Sequence, residues 1–179
     1  RGLGDVYKRQ EQVIDTMSDS THPMGVLSAA LQSLGGSYPD LSTNTRPADI
    51  DSFEEAASVI VAAIPVIAAK TLRSSKGESL PEAQTNFSYS ENFLHMMFGN
   101  AGGEDIDPAV SKALDLIFLL HADHEQNCST STCRMIASGG ANAFASLSGA
   151  VSALWGPLHG GANMACLLYT SDAADETTG

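Results

Sequence analysis

The chain has 179 residues, 43% of them hydrophobic and 17% charged, which excludes a disordered polar segment and suffices for one domain with a sizeable core. A formal net charge of -12 gives neither nucleic acid nor an anionic membrane surface a basic patch to hold, so neither is expected as a partner. No apolar run reaches the about 18 residues of a membrane span, the start has no apolar signal-peptide core, and the three cysteines (Cys128, Cys133, Cys166) lack zinc-ligand pairing, which points to a reducing cytoplasm rather than a disulfide framework.

Residues 1–10 carry three of the nine basic residues, and residues 166–179 turn abruptly from a Gly-Ala-Asn loop into Leu-Leu-Tyr-Thr-Ser-Asp-Ala-Ala-Asp-Glu. Both read as non-native tails of translated linker, leaving 11–165 as the native stretch.

Within that stretch, Gln12 to Met17 fits the end of a helix. Pro23 suits a first helical position, and Met24, Leu27, Leu31 and Leu34 repeat at helical spacing until Gly35-Gly36. A loop over residues 37–47 follows. Asp51 or Ser52 then caps a helix with Glu54 and Glu55 in its first turn, at the positive end of the helix dipole. Its apolar run from Ala56 to Ala69 contains Pro65, which predicts a kink or two abutting helices. Lys70, Arg73 and Lys76 suit the C-terminal end, and Gly77 the stop.

After a loop to Phe87, residues 88–98 form a short helix with Phe93, Met96 and Met97 on one face, a stripe of the kind found in cores and interfaces. His95 in it reads as a surface or packing residue. Asp107-Pro108 opens the clearest helix, with Val110, Ala113, Leu114 and Ile117 as its buried stripe, and His121 and His124 continue that face. Asn142 to Leu154, rich in Ala and Gly, suits close helix packing, with apolar faces left exposed where partners are missing. No segment alternates with a strand period, so the fold class is all-α.

Two motifs carry the chemistry: His121-Ala-Asp123-His124-Glu125-Gln-Asn127, and Gly156-Pro157-Leu-His159-Gly160-Gly161-Ala-Asn163. In the second, proline fixes one torsion and the glycines allow close approaches, so a single imidazole is presented on a tight loop, where it can donate a hydrogen bond to a developing oxyanion. In the first, Asp123 and Glu125 either orient the rings or cap the following segment. The H-x-x-H-E order differs from the H-E-x-x-H zinc helix, and no metal is expected.

On these motifs, together with Thr21-His22-Pro23-Met24 and Ser88-Tyr-Ser-Glu91-Asn92-Phe-Leu-His-Met-Met-Phe98, the stretch from about Glu11 to Ala165 resembles the citrate synthase family. The resemblance implies part of the family's multi-helical large domain, ending before the small domain. It implies that His159 is catalytic, polarising an acetyl thioester carbonyl and stabilising the enol, while His124 binds oxaloacetate and Asn127 contacts substrate. His121 reads as a satisfied core histidine.

The substrates implied are oxaloacetate and acetyl-CoA, with no cofactor, in a homodimer or hexamer of dimers. A 2-methylcitrate synthase using propionyl-CoA is the alternative. Dicarboxylates and phosphates are usually held by arginine forks, and outside the tails the chain has only Arg46, Arg73 and Arg134. The family's proton-abstracting aspartate lies in a segment that this stretch does not match, so the chain by itself is expected to be a non-catalytic helical fragment.

Overall fold

The computed structural model describes residues 11–17, 20–42, 50–99, 106–123, 125–162 and 164–165. The expectations for both tails, for Arg46, for His124 and for Asn163 fall outside these residues.

Among the described residues the secondary structure is helical throughout. After a helical turn at 11–15 come α1 (Pro23–Leu34), a 3-10 turn (Gly35–Ser37), α2 (Ile50–Ser75), α3 (Tyr89–Phe98), α4 (Pro108–Leu120), α5 (Cys128–Ser138) and α6 (Ala143–Leu154). Their starts follow from local chemistry. Pro23 and Pro108 occupy first turns, Ser88 and Glu91 form a capping box, and Asp107, Asn127 and Asn142 each accept a backbone N–H two or three residues on. Gly77, at φ 69°, closes the end of α2 in the left-handed conformation.

Two expectations for α2 are corrected. It begins at Ile50, ahead of the proposed caps Asp51 and Ser52, and it runs through Pro65 as one helix rather than as two abutting ones. Proline has no N–H, so the carbonyl of Val61, four residues earlier, loses its helical partner. The Tyr89 hydroxyl of α3 donates to that carbonyl at 3.0 Å instead. By length and mean hydropathy the Ser52–Ser75 part of α2 is also sufficient to cross a membrane, which the sequence reading did not anticipate. Its buried residues Ala56, Ile60, Ala63 and Ile67 follow helical spacing and join the core with α1 and α6, the pattern of a core helix.

That core holds Ile14, Val26, Ala30, Leu31, Leu34, Ala56, Ile60, Ala63, Ile67 and Phe144. Phe144 is fully buried, its ring stacked on Tyr38, and Gly35 leaves room for it: a Cβ there would lie 3.3 Å from the Phe144 side chain.

Helices α1 and α6 run antiparallel along a seam of small residues. Gly35 meets Phe144 at one end, and His22 meets Trp155 at the other. Midway, Ser28 and Ser148 each place a hydroxyl 2.9 Å from the other's backbone carbonyl, with the Ser152 hydroxyl 2.8 Å from that of Ser28. Helices α5 and α6 form a hairpin turned by Gly139-Gly140. Their contact is so close that a Cβ on Gly149 would lie 2.1 Å from Ile136 Cδ1. The apolar exposure expected on α6 is confined to its C-terminal end, at Leu154 and the capping Trp155, while Phe144, Ser146, Ser148 and Ala150 are buried.

Helix α4 is the opposite case. Its predicted buried stripe is largely open, with Val110 50% and Ile117 49% exposed, and only Ser111 is buried. Leu116, Leu119 and Leu120 are exposed as well. Periodicity correctly places apolar residues on this helix, but among the described elements it packs mainly on α3, through the Ser90–Asp115 hydrogen bond and the Phe118 ring between Tyr89 and Phe93.

Candidate active site

The C-terminal end of α6 is where the second histidine motif lands. Trp155 caps the helix, and the chain then folds back on itself: the N–H groups of His159 and Gly161 both donate to the Gly156 carbonyl, at 3.0 and 3.2 Å. Gly160 is required by crowding, since a Cβ there would lie 2.3 Å from the Leu154 carbonyl oxygen. His159 is half-buried on this loop.

Its Nε2 lies 2.8 Å from the hydroxyl of Ser129, in the first turn of α5, and that hydroxyl also lies 2.9 Å from the Ala150 carbonyl of α6. One serine proton therefore has two acceptors in reach. Donated to Ala150, it leaves Nε2–H to donate to Ser129 and Nδ1 as a bare acceptor. Rotated onto Nε2, it makes the neutral imidazole an Nδ1–H donor. The hydroxyl thus sets which face of the ring can give a proton.

Sequence reasoning passed over Ser129 as a site residue. The available signal was its place two residues after Asn127, in the first turn of a helix that the Asn127 cap defines.

Asn127 itself is engaged in the fold. Its side chain accepts the Thr130 N–H at 2.9 Å as the cap of α5, so it fixes the turn that carries Ser129. His121 corrects an expectation: it caps α4 at an exposed position, its Nδ1 2.8 Å from the Ile117 carbonyl, and is not a core residue, because α4 ends in the open. Asp123 accepts the Glu125 N–H at 2.8 Å in a turn within the motif, and the cap expected of Asp123 or Glu125 for the following helix is supplied by Asn127 instead. Glu125 has φ 58°, a left-handed conformation in the middle of the first motif.

Of the two described arginines, Arg73 is tied into the fold and Arg134 is exposed. Arg73 is buried, with Nε donating to the Met96 carbonyl at 3.0 Å, Nη1 to Glu78 at 2.7 Å, and Nη2 to the Gly99 carbonyl. Arg134 bonds the Gln126 side chain at 2.7 Å. His95 is buried rather than on the surface, packed edge-on to Phe87 with Nε2 3.2 Å from the Glu82 carbonyl. Among the described residues no cluster of three or more His, Cys, Asp or Glu side chains could hold a metal ion.

The fold and site define a class: an all-α protein whose helical hairpin presents one imidazole on a glycine-proline loop, tethered by a serine of the neighbouring helix. The sequence profile described as citrate synthase, C-terminal domain, matches residues 4–178. The structure is similar to the crystal structure of citrate synthase from Pyrobaculum aerophilum, at 31% identity and a TM-score of 0.65, over 90% of this chain and 43% of that one. The chain belongs to the citrate synthase family, and it spans under half the length of that relative.

Proposed function

We propose that this chain is the His159-bearing part of a citrate synthase, an acyltransferase that condenses acetyl-CoA with oxaloacetate and water to give citrate and coenzyme A. The single observation that carries this reading is the Ser129–His159 hydrogen bond on the Gly-Pro loop. A tethered imidazole with one ring nitrogen held by serine is suited to donate from the other to a thioester carbonyl as it becomes an enol. The carbonyl oxygen gains charge while the methyl proton leaves to a base supplied elsewhere in the enzyme. The enol carbon then attacks the ketone of oxaloacetate, and hydrolysis of the citryl thioester releases coenzyme A.

His124 and Asn127 are proposed to hold oxaloacetate. Asn127 would do so with the donor atoms its capping role leaves over. Both thioester and keto acid are substrates, and the reaction draws on no cofactor. The free thiols of Cys128 and Cys133 support a reducing, cytoplasmic setting. Assembly as a homodimer or hexamer of dimers is supported by the exposed apolar residues of α4, a face of the kind that obligate subunits bury.

Arg134 alone of the described arginines is exposed, too few for a dicarboxylate clamp, and the base for the methyl proton is to be supplied elsewhere. The 179-residue chain alone is therefore expected to turn nothing over. The test is oxaloacetate-dependent release of coenzyme A by the full-length enzyme, compared with acetyl-CoA and propionyl-CoA. A strong preference for propionyl-CoA replaces citrate by 2-methylcitrate as the product, and no release with either thioester overturns the reading.

A further inference from the structure

The ring of His22 stacks on the indole of Trp155, centroids 5.0 Å apart and planes 17° from parallel. The same imidazole is anchored at its base, since Nδ1 accepts the Met24 N–H at 3.2 Å as the cap of α1. Gly25 lies beside the indole edge, where a Cβ would be in ordinary contact with Trp155 Cζ3 at 3.4 Å. Trp155 in turn is the last residue before the loop, and the next carbonyl, that of Gly156, receives the N–H groups of both His159 and Gly161.

We infer that His22 is a positioning residue for His159, acting through Trp155: its ring holds the indole, and the indole holds the turn from which the imidazole of His159 projects. The loop is thereby gripped from two sides. Ser129 of α5 takes the ring of His159, and His22 of α1 takes the residue at the root of the turn. Trp155 is 48% exposed, and on the α1 side its indole rests on the His22 ring beside Gly25. A cap alone needs no ring, because asparagine or aspartate satisfies the same N–H. The imidazole adds a flat surface for the indole, and stacked aromatic pairs favour such offset, near-parallel contact. The catalytic consequence rests on the proposed role of His159, but the coupling itself does not.

Trp155 is the single tryptophan of the chain, so its fluorescence reports this contact without interference. In the purified chain, His22→Asn and His22→Asp keep a cap and remove the ring, whereas His22→Phe keeps a ring and removes the cap. The measurements are tryptophan emission, acrylamide quenching, and the imidazole nitrogen shifts of His159, assigned with His159→Gln. Amide exchange along α1 follows the helix.

Both ring-less variants are expected to shift emission to the red, increase quenching and move the His159 nitrogen signals, with His22→Phe close to wild type in all three. Unchanged signals in the ring-less variants overturn the inference. So does His22→Phe moving the signals as far as they do, or loss of α1 protection in both ring-less variants, because His22 would then serve only the helix. Turnover is not among these readouts, so failure of the synthase assignment is separable from failure of this one.

Discussion

Tyr89 supplies Val61 with the hydrogen bond that Pro65 cannot. Its hydroxyl donates to the Val61 carbonyl at 3.0 Å, on the helix that continues through the proline. Tyr89 is 45% exposed overall, and the partial burial of its hydroxyl end raises its pKa above the ordinary value of 10.0. A raised pKa means that the neutral phenol favours the folded state. The associated stability is present below the unfolded value and is lost as pH rises through the folded one. Tyr89→Phe is expected to cost about 1 kcal/mol at neutral pH and to flatten the alkaline limb of a thermal-stability profile measured from pH 8 upward. An unchanged alkaline limb would show that the phenol is not its source.

At the α5–α6 contact, Gly149→Ala sets two effects against each other. Alanine gains about 1 kcal/mol of helix propensity, but its Cβ would meet Ile136 Cδ1 at 2.1 Å, an overpacking worth about 1–3 kcal/mol. The substitution is expected to destabilise the wild-type background and to stabilise Ile136→Val, which lacks that methyl. Denaturant midpoints of the four proteins in the cycle check it, and additive effects would refute it.

Arg73 and Glu78 differ sharply in what their removal exposes. Arg73→Ala strands the carbonyls of Met96 and Gly99 beside a buried site and is expected to cost about 2–4 kcal/mol. Glu78→Ala removes a carboxylate that is 45% exposed, worth about 0–1 kcal/mol. Thermal unfolding of both variants tests the ranking, and equal losses would place the stabilisation in the ion pair.

For the site itself, His159→Gln in the full-length enzyme is expected to lower kcat by about 100- to 1000-fold, the scale of losing one oxyanion donor. Ser129→Ala removes one hydrogen bond to the ring, so the loss expected is about five- to tenfold. The serine variant should also change the tautomer of His159 in 15N spectra. A Ser129→Ala enzyme with wild-type kcat and an unchanged tautomer would mean that the tether does not set the ring.

What the sequence made legible was chemistry that acts within a few residues: Pro23 and Pro108 in first turns, the Ser88–Glu91 box, Gly77 at a helix end, and the two histidine motifs. What it hid were relationships across the fold. Nothing near Pro65 announces that a tyrosine 24 residues later accepts its geometry. The apolar periods of α4 and α6 look alike, yet among the described residues α6 is enclosed by α1 and α5 while α4 packs mainly on α3. Periodicity shows which face is apolar, not what covers it. Ser129 and His159 lie 30 positions apart, and only the α5–α6 hairpin makes them partners.

Glu125 holds a backbone conformation that glycine or asparagine adopts with less strain, at φ 58° beside His124 in sequence. A non-glycine residue there costs about 1 kcal/mol, and glycine would relieve it. In a population of variants screened for heat resistance alone, this codon is among the first expected to change. Screened for turnover, the glutamate would persist wherever its carboxylate serves the neighbouring histidine. Position 125 therefore separates the two pressures, and the allele recovered under each would reveal which one shaped the loop.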